Sequence, residues 1–315
     1  MATLKTAVLA SINVSYQMSF DEGRRRAQKR YLSIASEYPG SGDRNIYPWL
    51  LGIKGMQEWK GEKNFQDLSA VGYELRHKDW EDSISVDRNA IADDQYGLYN
   101  PMFEELGFVG EDLPNHQVQS LLENGEATTV HGACWDGKAF FATDHPVHPN
   151  DASLSTFANL FTSTSLTRAN LITQMAAFMQ QKGPDGKPRG IPADTLFVHP
   201  NQYVDAVELV SAKFISGASS SSPGSRENVI ATMGMLKVEQ LPLSSEDGEW
   251  FLGATVAGGM VSRNPLVVQI REAPHLVTPP TLSEAEFLKR KLQYSTEARI
   301  GFGYGKPWQL WKHKN

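Results

Sequence analysis

Cysteine is almost missing from this 315-residue sequence. Cys134 stands alone, so no intrachain disulfide can form and nothing points to an oxidising compartment. A buried thiol is the bland reading of it and a catalytic nucleophile the sharp one. Long apolar runs are missing too: none approaches the roughly 18 residues that a membrane helix needs. The N-terminal stretch runs into Asn13, Gln17, Asp21 and Arg24-Arg25-Arg26 without a long apolar core, which reads as cytoplasmic and not as a signal peptide. There is no basic excess either, with 30 Lys and Arg against 36 Asp and Glu and a net charge of −6. That balance disfavours a general grip on nucleic acid and leaves only local patches. Arg24 to Arg26 with Lys29 and Arg30 form one such patch, which reads equally as a solvated helix face.

What is present is a mixture of helices and strands without regular βαβ alternation, which predicts an α+β protein. The spacing predicts a helix over 20–34. From 37 to 61, Pro39, Gly40, Gly42, Pro48, Gly52 and Gly55 break any helix, yet Trp49, Leu50, Leu51, Met56 and Trp59 sit among them. A long loop with large apolar side chains is usually functional or lies against something. Beyond it, Val71, Tyr73 and Leu75 share odd positions whereas Trp80, Ile84 and Val86 share even ones. Period-two alternation marks strands, and the change of parity needs either a hairpin at His77-Lys78 or one long strand bulged near Lys78-Asp79. Either ribbon needs a surface to lie on, and no later segment obviously supplies one.

Asp93 and Asp94 are candidate N-caps for a helix running to about Asn124, which Gly107, Gly110 and Pro114 should kink or divide. Asp136-Gly137 suggests a turn before a short strand at Phe140-Phe141. A helix capped by Thr167 is expected over 166–182, a buried strand at 195–198 and a helix over 201–212. Residues 216–225, rich in Gly and Ser, read as an exposed loop. Strands are expected at 236–241, 250–256, 266–271 and 292–300, with Trp308 to Trp311 closing the chain.

Candidates for chemistry are few. Asp144, His145 and His148 could share a metal, which would make the protein a metal-dependent hydrolase. Pro146 and Pro149 spoil the geometry, and no second His-rich motif offers further ligands. Neighbouring acids at Asp93-Asp94, Glu104-Glu105 and Glu284 with Glu286 read as caps or solvated faces. Gly301-Phe302-Gly303-Tyr304-Gly305 looks superficially like a phosphate loop, but Pro307 follows at once and no helix opens there. No GxxxxGK[ST], G-x-S-x-G or CxxC motif occurs. The expectation is therefore no catalytic residue, no metal and no cofactor.

An ordered series of blocks carries a family resemblance. Tyr47-Pro48-Trp49-Leu50-Leu51-Gly52 is followed by Gly55-Met56-Gln57-Glu58-Trp59-Lys60-Gly61 and by Tyr73-Glu74-Leu75. Then come Trp80-Glu81-Asp82-Ser83-Ile84-Ser85-Val86-Asp87-Arg88 and Ile91-Ala92-Asp93-Asp94-Gln95-Tyr96-Gly97-Leu98-Tyr99-Asn100-Pro101. Trp135 to Pro146, Leu196 to Pro200, Glu297 to Gly301 and Trp308 to Trp311 continue in the same order. The series, spanning roughly 20–312, resembles the Mu-like phage major head subunit family; residues 216–248 match least. The resemblance implies the Hong Kong 97-type coat fold. It would place an N-terminal arm at 1–45, an extended loop at 46–92, a peripheral domain with a spine helix at 93–165, an axial domain at 166–263 and return strands of the peripheral domain at 264–315. It favours the bulge over the hairpin and puts the loop tip near 61–67.

It also implies a subunit that assembles with itself into hexamers and pentamers of an icosahedral shell in the virion. Such a shell would enclose double-stranded DNA without sequence specificity. It would form in the bacterial host cytoplasm with a separate scaffolding protein and a portal, without a membrane. The residues expected to touch neighbouring subunits are Trp49, Trp59, Tyr73, Leu75 and Trp80. A nanocompartment shell of the same fold, enclosing an enzyme, remains an alternative role.

Overall fold

The computed structural model describes residues 6–47, 61, 73–93, 97–148, 155–216, 225–241, 248–279 and 288–315. Trp49, Trp59, the expected loop tip apart from Gly61, Asp94, Glu284 and Glu286 lie outside them.

The chain begins with helix α1 (Thr6–Arg26), which starts earlier and ends sooner than the expected 20–34. Strands β1 (Ala35–Pro39), β2 (Arg44–Ile46), β3 (Glu74–Arg76) and β4 (Lys78–Asp87) follow, then the short helix α2 (Arg88–Asp93). Asp93 therefore closes a helix where it was expected to open one. The long helix α3 (Asn100–Glu123) buries Phe103, Leu106, Gly107, Gly110, Pro114, Val118, Leu121 and Leu122, a stripe at helical spacing. Pro114 leaves the helix undivided, although it cannot donate to the Gly110 carbonyl. Gly107 is a point of backbone contact. A Cβ there would lie 2.1 Å from the Phe20 carbonyl oxygen, and one at Gly23 would lie 1.8 Å from that of Glu104. Only two glycines let α1 and α3 approach this closely. Tyr16 stacks on Phe103 with ring centroids 3.9 Å apart, and Tyr294 meets both edge-on.

The next elements are β5 (His145–Pro146), β6 (Thr156–Phe157), β7 (Leu160–Phe161), α4 (Arg168–Met179), β8 (Thr195–Val198), α5 (Tyr203–Ser211), β9 (Phe214–Ser216) and β10 (Ser225–Glu227). The Thr167 side chain caps α4 as expected, accepting from the Asn170 amide. Phe140 and Phe141 are buried but form no strand. The chain then forms α6 (Val229–Met233), β11 (Lys237–Gln240), β12 (Trp250–Gly253), β13 (Leu266–Val277), β14 (Lys291–Tyr304) and β15 (Leu310–His313).

Two sheets organise these pieces. One has the order β1-β13-β14-β4 and the other β11-β8-β12-β15-β7. In β14 the residues Leu292, Tyr294, Thr296, Ala298 and Ile300 are buried, while Lys291, Gln293 and Glu297 are exposed. The alternation turns one face of the first sheet to α1 and α3. The second sheet buries β8 and β12 on both faces. Of the return strands expected at 264–315, β13 and β14 lie in the first sheet, but β15 pairs with β12 in the second. The reason is packing on both sides of β15: Leu310 sits in the central core with Phe141 and Phe251, and Trp311 meets Phe178 of α4.

Candidate assembly surface

The parity change read at 77–79 is a break at His77, where the chain changes partner. On one side, β4 pairs antiparallel with β14 from Lys78 opposite Ile300 to Asp87 opposite Lys291. On the other, β3 pairs with β2, and no β3–β4 hairpin forms. The ribbon thus has the partner that the sequence did not reveal: β14, more than two hundred residues away. Past Ile300, β3 lies across β14, and the glycines make room for it. A Cβ on Gly301 would lie 2.9 Å from the Arg76 carbonyl oxygen, and one on Gly303 would lie 2.8 Å from the Tyr73 hydroxyl. The glycine run that resembled a phosphate loop serves close backbone approach.

This crossing packs three of the residues expected at neighbouring subunits against their own chain. Leu75 is buried in the chain's own core beside Gly303. The Tyr73 hydroxyl accepts a hydrogen bond from the Tyr304 amide at 3.1 Å, and burial pushes its pKa up. Trp80 donates from Nε1 to the Ile300 carbonyl at 3.0 Å and meets Phe302 edge-on, remaining half-buried. These three residues fasten the loop's returning strand to its own subunit.

Sequence reasoning missed Gln269, the buried residue that joins both ends of the loop. Its Oε1 accepts from the Tyr47 hydroxyl, and its Nε2 donates to His77 Nε2 and to the Leu75 carbonyl. His77 Nδ1 lies 3.2 Å from the Asp43 carbonyl oxygen, so the pattern of partners assigns the neutral ring with its proton on Nδ1. The Tyr47 amide also donates to the Tyr73 carbonyl at 2.9 Å, closing the excursion over 48–72 at its neck. A glutamine inside the run Leu266-Val267-Val268-Gln269-Ile270 was the available signal.

A second joint involves Lys312, which is buried. Its Nζ is 2.9 Å from Glu126 and 2.7 Å from Glu249, flanked by the Phe141 and Phe251 rings. Lys314 also reaches Glu126. Burial opposes the charge on Glu126, but the hydrogen bonds from Lys314 and Lys312 outweigh it and hold the carboxyl below its ordinary range. Next to them His313 stacks on Trp250, ring centroids 3.9 Å apart, and burial pushes its pKa down to about 3.

The candidates for chemistry find ordinary roles. His145 is buried with Nδ1 2.6 Å from Asp136 and Nε2 3.1 Å from the Phe140 carbonyl oxygen, leaving no ring nitrogen for a metal. Asp144 is exposed, and its hydrogen bond from Lys138 holds its carboxyl below the usual range. Among the described residues no group of three His, Cys, Asp or Glu is placed to hold a metal ion. Burial pushes the Cys134 thiol well above its usual range, which is the opposite of an activated nucleophile. The arginine run is met by acids: Arg24 pairs with Glu111 at 2.9 Å, Arg25 with Glu22 and Arg26 with Glu104. Among the described residues, no helix is long and apolar enough to cross a membrane.

Comparison with known proteins agrees with this architecture. Residues 9–165 match the family model for the Mu-like prophage major head subunit gpT. The Mu-like prophage FluMu major head subunit of Haemophilus influenzae is 27% identical over 93% of this chain and 92% of its own length. The major capsid protein of Escherichia phage Mu is 31% identical over 46% of each chain. This chain belongs to the Mu-like prophage major head subunit family. The subunit in the procapsid of bacteriophage JBD30 has a similar fold, with a TM-score of 0.58 at 21% identity over 99% of this chain and 76% of that one. The head subunit therefore has the α+β, Hong Kong 97-type coat fold, and it is a capsid component of a Mu-like phage or prophage.

Proposed function

We propose that this head subunit closes, as hexamers and pentamers, into an icosahedral shell around double-stranded DNA, with a separate scaffolding protein and a portal as partners. Assembly takes place in the bacterial host cytoplasm. The arm, extended loop, peripheral and axial regions divide near 45, 92, 165 and 263, with α3 as the spine helix. The closed neck of the loop carries this reading. Tyr47 and Tyr73 are joined by a hydrogen bond and both flanks are tied to Gln269, with Trp49 and Trp59 in the sequence between them. A tryptophan buried against a neighbouring subunit contributes about 2–3 kcal/mol, and many such contacts add up around a closed shell.

The test is Trp49→Ala with Trp59→Ala, expressed beside the scaffolding protein and viewed by electron microscopy. The expected result is folded, soluble subunit without shells. Normal shells from the double variant remove the loop as the intersubunit anchor. Nucleic acid extracted from virion shells is expected to be double-stranded DNA; an enzyme cargo in its place would favour the nanocompartment role.

A further inference from the structure

Beside the neck of the loop is an open cavity of about 550 Å3 between β3–β4 and the segment after α3. Its floor is apolar, with Leu75, Trp80 and Phe302, and its rim carries Arg76, Lys78 and His131. Arg76 and Lys78 are exposed and make no ion pair with any described residue. The one acid on that rim, Glu74, is already taken by Arg44 at 2.8 Å. His131 is held by Ser120, and burial together with the nearby Lys78 charge keeps its pKa low, so it adds no further positive charge to the rim.

We propose that this cavity receives a carboxylate-bearing segment of a second copy of the chain, paired by Arg76 and Lys78. The inference rests on the shell-forming reading and names one contact within it. Two observations favour a protein segment over nucleic acid. The apolar floor suits a side chain beside the carboxylate, and two cations at one rim make a point and not a track along a phosphate backbone. The second copy is favoured by charge, since each subunit has an excess of acids and meets only its like across most of a shell.

Two experiments test it. A photo-crosslinking benzoylphenylalanine in place of Val130, which is 51% exposed at the rim, is irradiated in assembled shells. Mass spectrometry is expected to find it joined to an acidic peptide of another copy. Crosslinks only within one chain, to DNA or to a different protein overturn the proposal. The charge reversal Arg76→Glu with Lys78→Glu alters only exposed side chains, and circular dichroism checks that the subunit folds. It is expected to raise the subunit concentration needed for shells by about tenfold or more. Wild-type shells alongside unimpaired charge-reversed shells overturn this contact alone. A wild-type chain that forms no shell with its scaffolding protein overturns the head-subunit reading and this inference together.

Discussion

The neck of the extended loop and the root of the last strand are both fastened by buried polar groups, yet the groups differ in kind. At the neck, Tyr47, Gln269 and His77 are neutral and share hydrogen bonds. At the root, Lys312 faces two glutamates inside an aromatic box. Losing one member of a neutral network costs about 1–2 kcal/mol net. Losing one member of a buried ionic cluster leaves an uncompensated charge and costs about 3–5 kcal/mol. The neck is thus held by separable, modest contacts. The root of β15, which joins two hydrophobic cores, is held by an all-or-none cluster.

The largest expected effect follows at the root. Lys312→Ala leaves the buried Glu249 without its cation, while Glu126 keeps Lys314, and should lower stability by about 3–5 kcal/mol in urea unfolding. A loss below about 1 kcal/mol would mean that water reaches the cluster and that the contrast with the neck is false.

Acid should weaken the root. The folded pKa of His313 is depressed from 6.5 to about 3, so the folded state binds fewer protons than the unfolded chain in that interval. Stability should fall by about 1.4 kcal/mol per pH unit from 6.5 down towards 3. Glu126 adds to the loss below its unfolded value of 4.5, because its depressed carboxyl must then protonate. His313→Phe keeps the stack on Trp250 and should flatten the upper part of that acid limb. An unchanged limb would place the titrating group elsewhere.

At the neck the effects should be smaller. Gln269→Leu removes the shared amide and should cost about 1–2 kcal/mol, with hydrogen exchange faster in β2 and β3 and unchanged in β15. Uniformly faster exchange would show that neck and root open as one unit. Tyr47→Phe deletes a single hydroxyl and should cost about 1 kcal/mol. If it costs as much as the lysine variant, the neck is no weaker than the root.

Local pattern carried much of this in the sequence. The helical stripe from Phe103 to Leu122 gave α3, Thr167 gave a cap, and Thr195–Val198 read as a buried strand with the bounds it has. The errors lie where a distant partner overrides local preference. Gly107 and Gly110 looked like breakers of α3, yet Gly107 admits the backbone of α1. Leu75 has nothing nearby in the sequence to bury it, and the strand that does comes more than two hundred residues later. Asp144, His145 and His148 were weighed together as ligands, but Asp136, nine residues before His145, takes that imidazole.

By itself the sequence determined the mixed class, the absence of a disulfide, the positions of most helices and strands, and the ordered blocks shared with Mu-like head subunits. Periodicity, capping and composition are local properties, and they survive being read one residue at a time. Only the tertiary structure decided that β4 pairs with β14, that Gln269 ties the neck and that Lys312 finds Glu126 and Glu249. Such contacts join residues far apart along the chain, and their free energy arises only when burial removes both partners from water together.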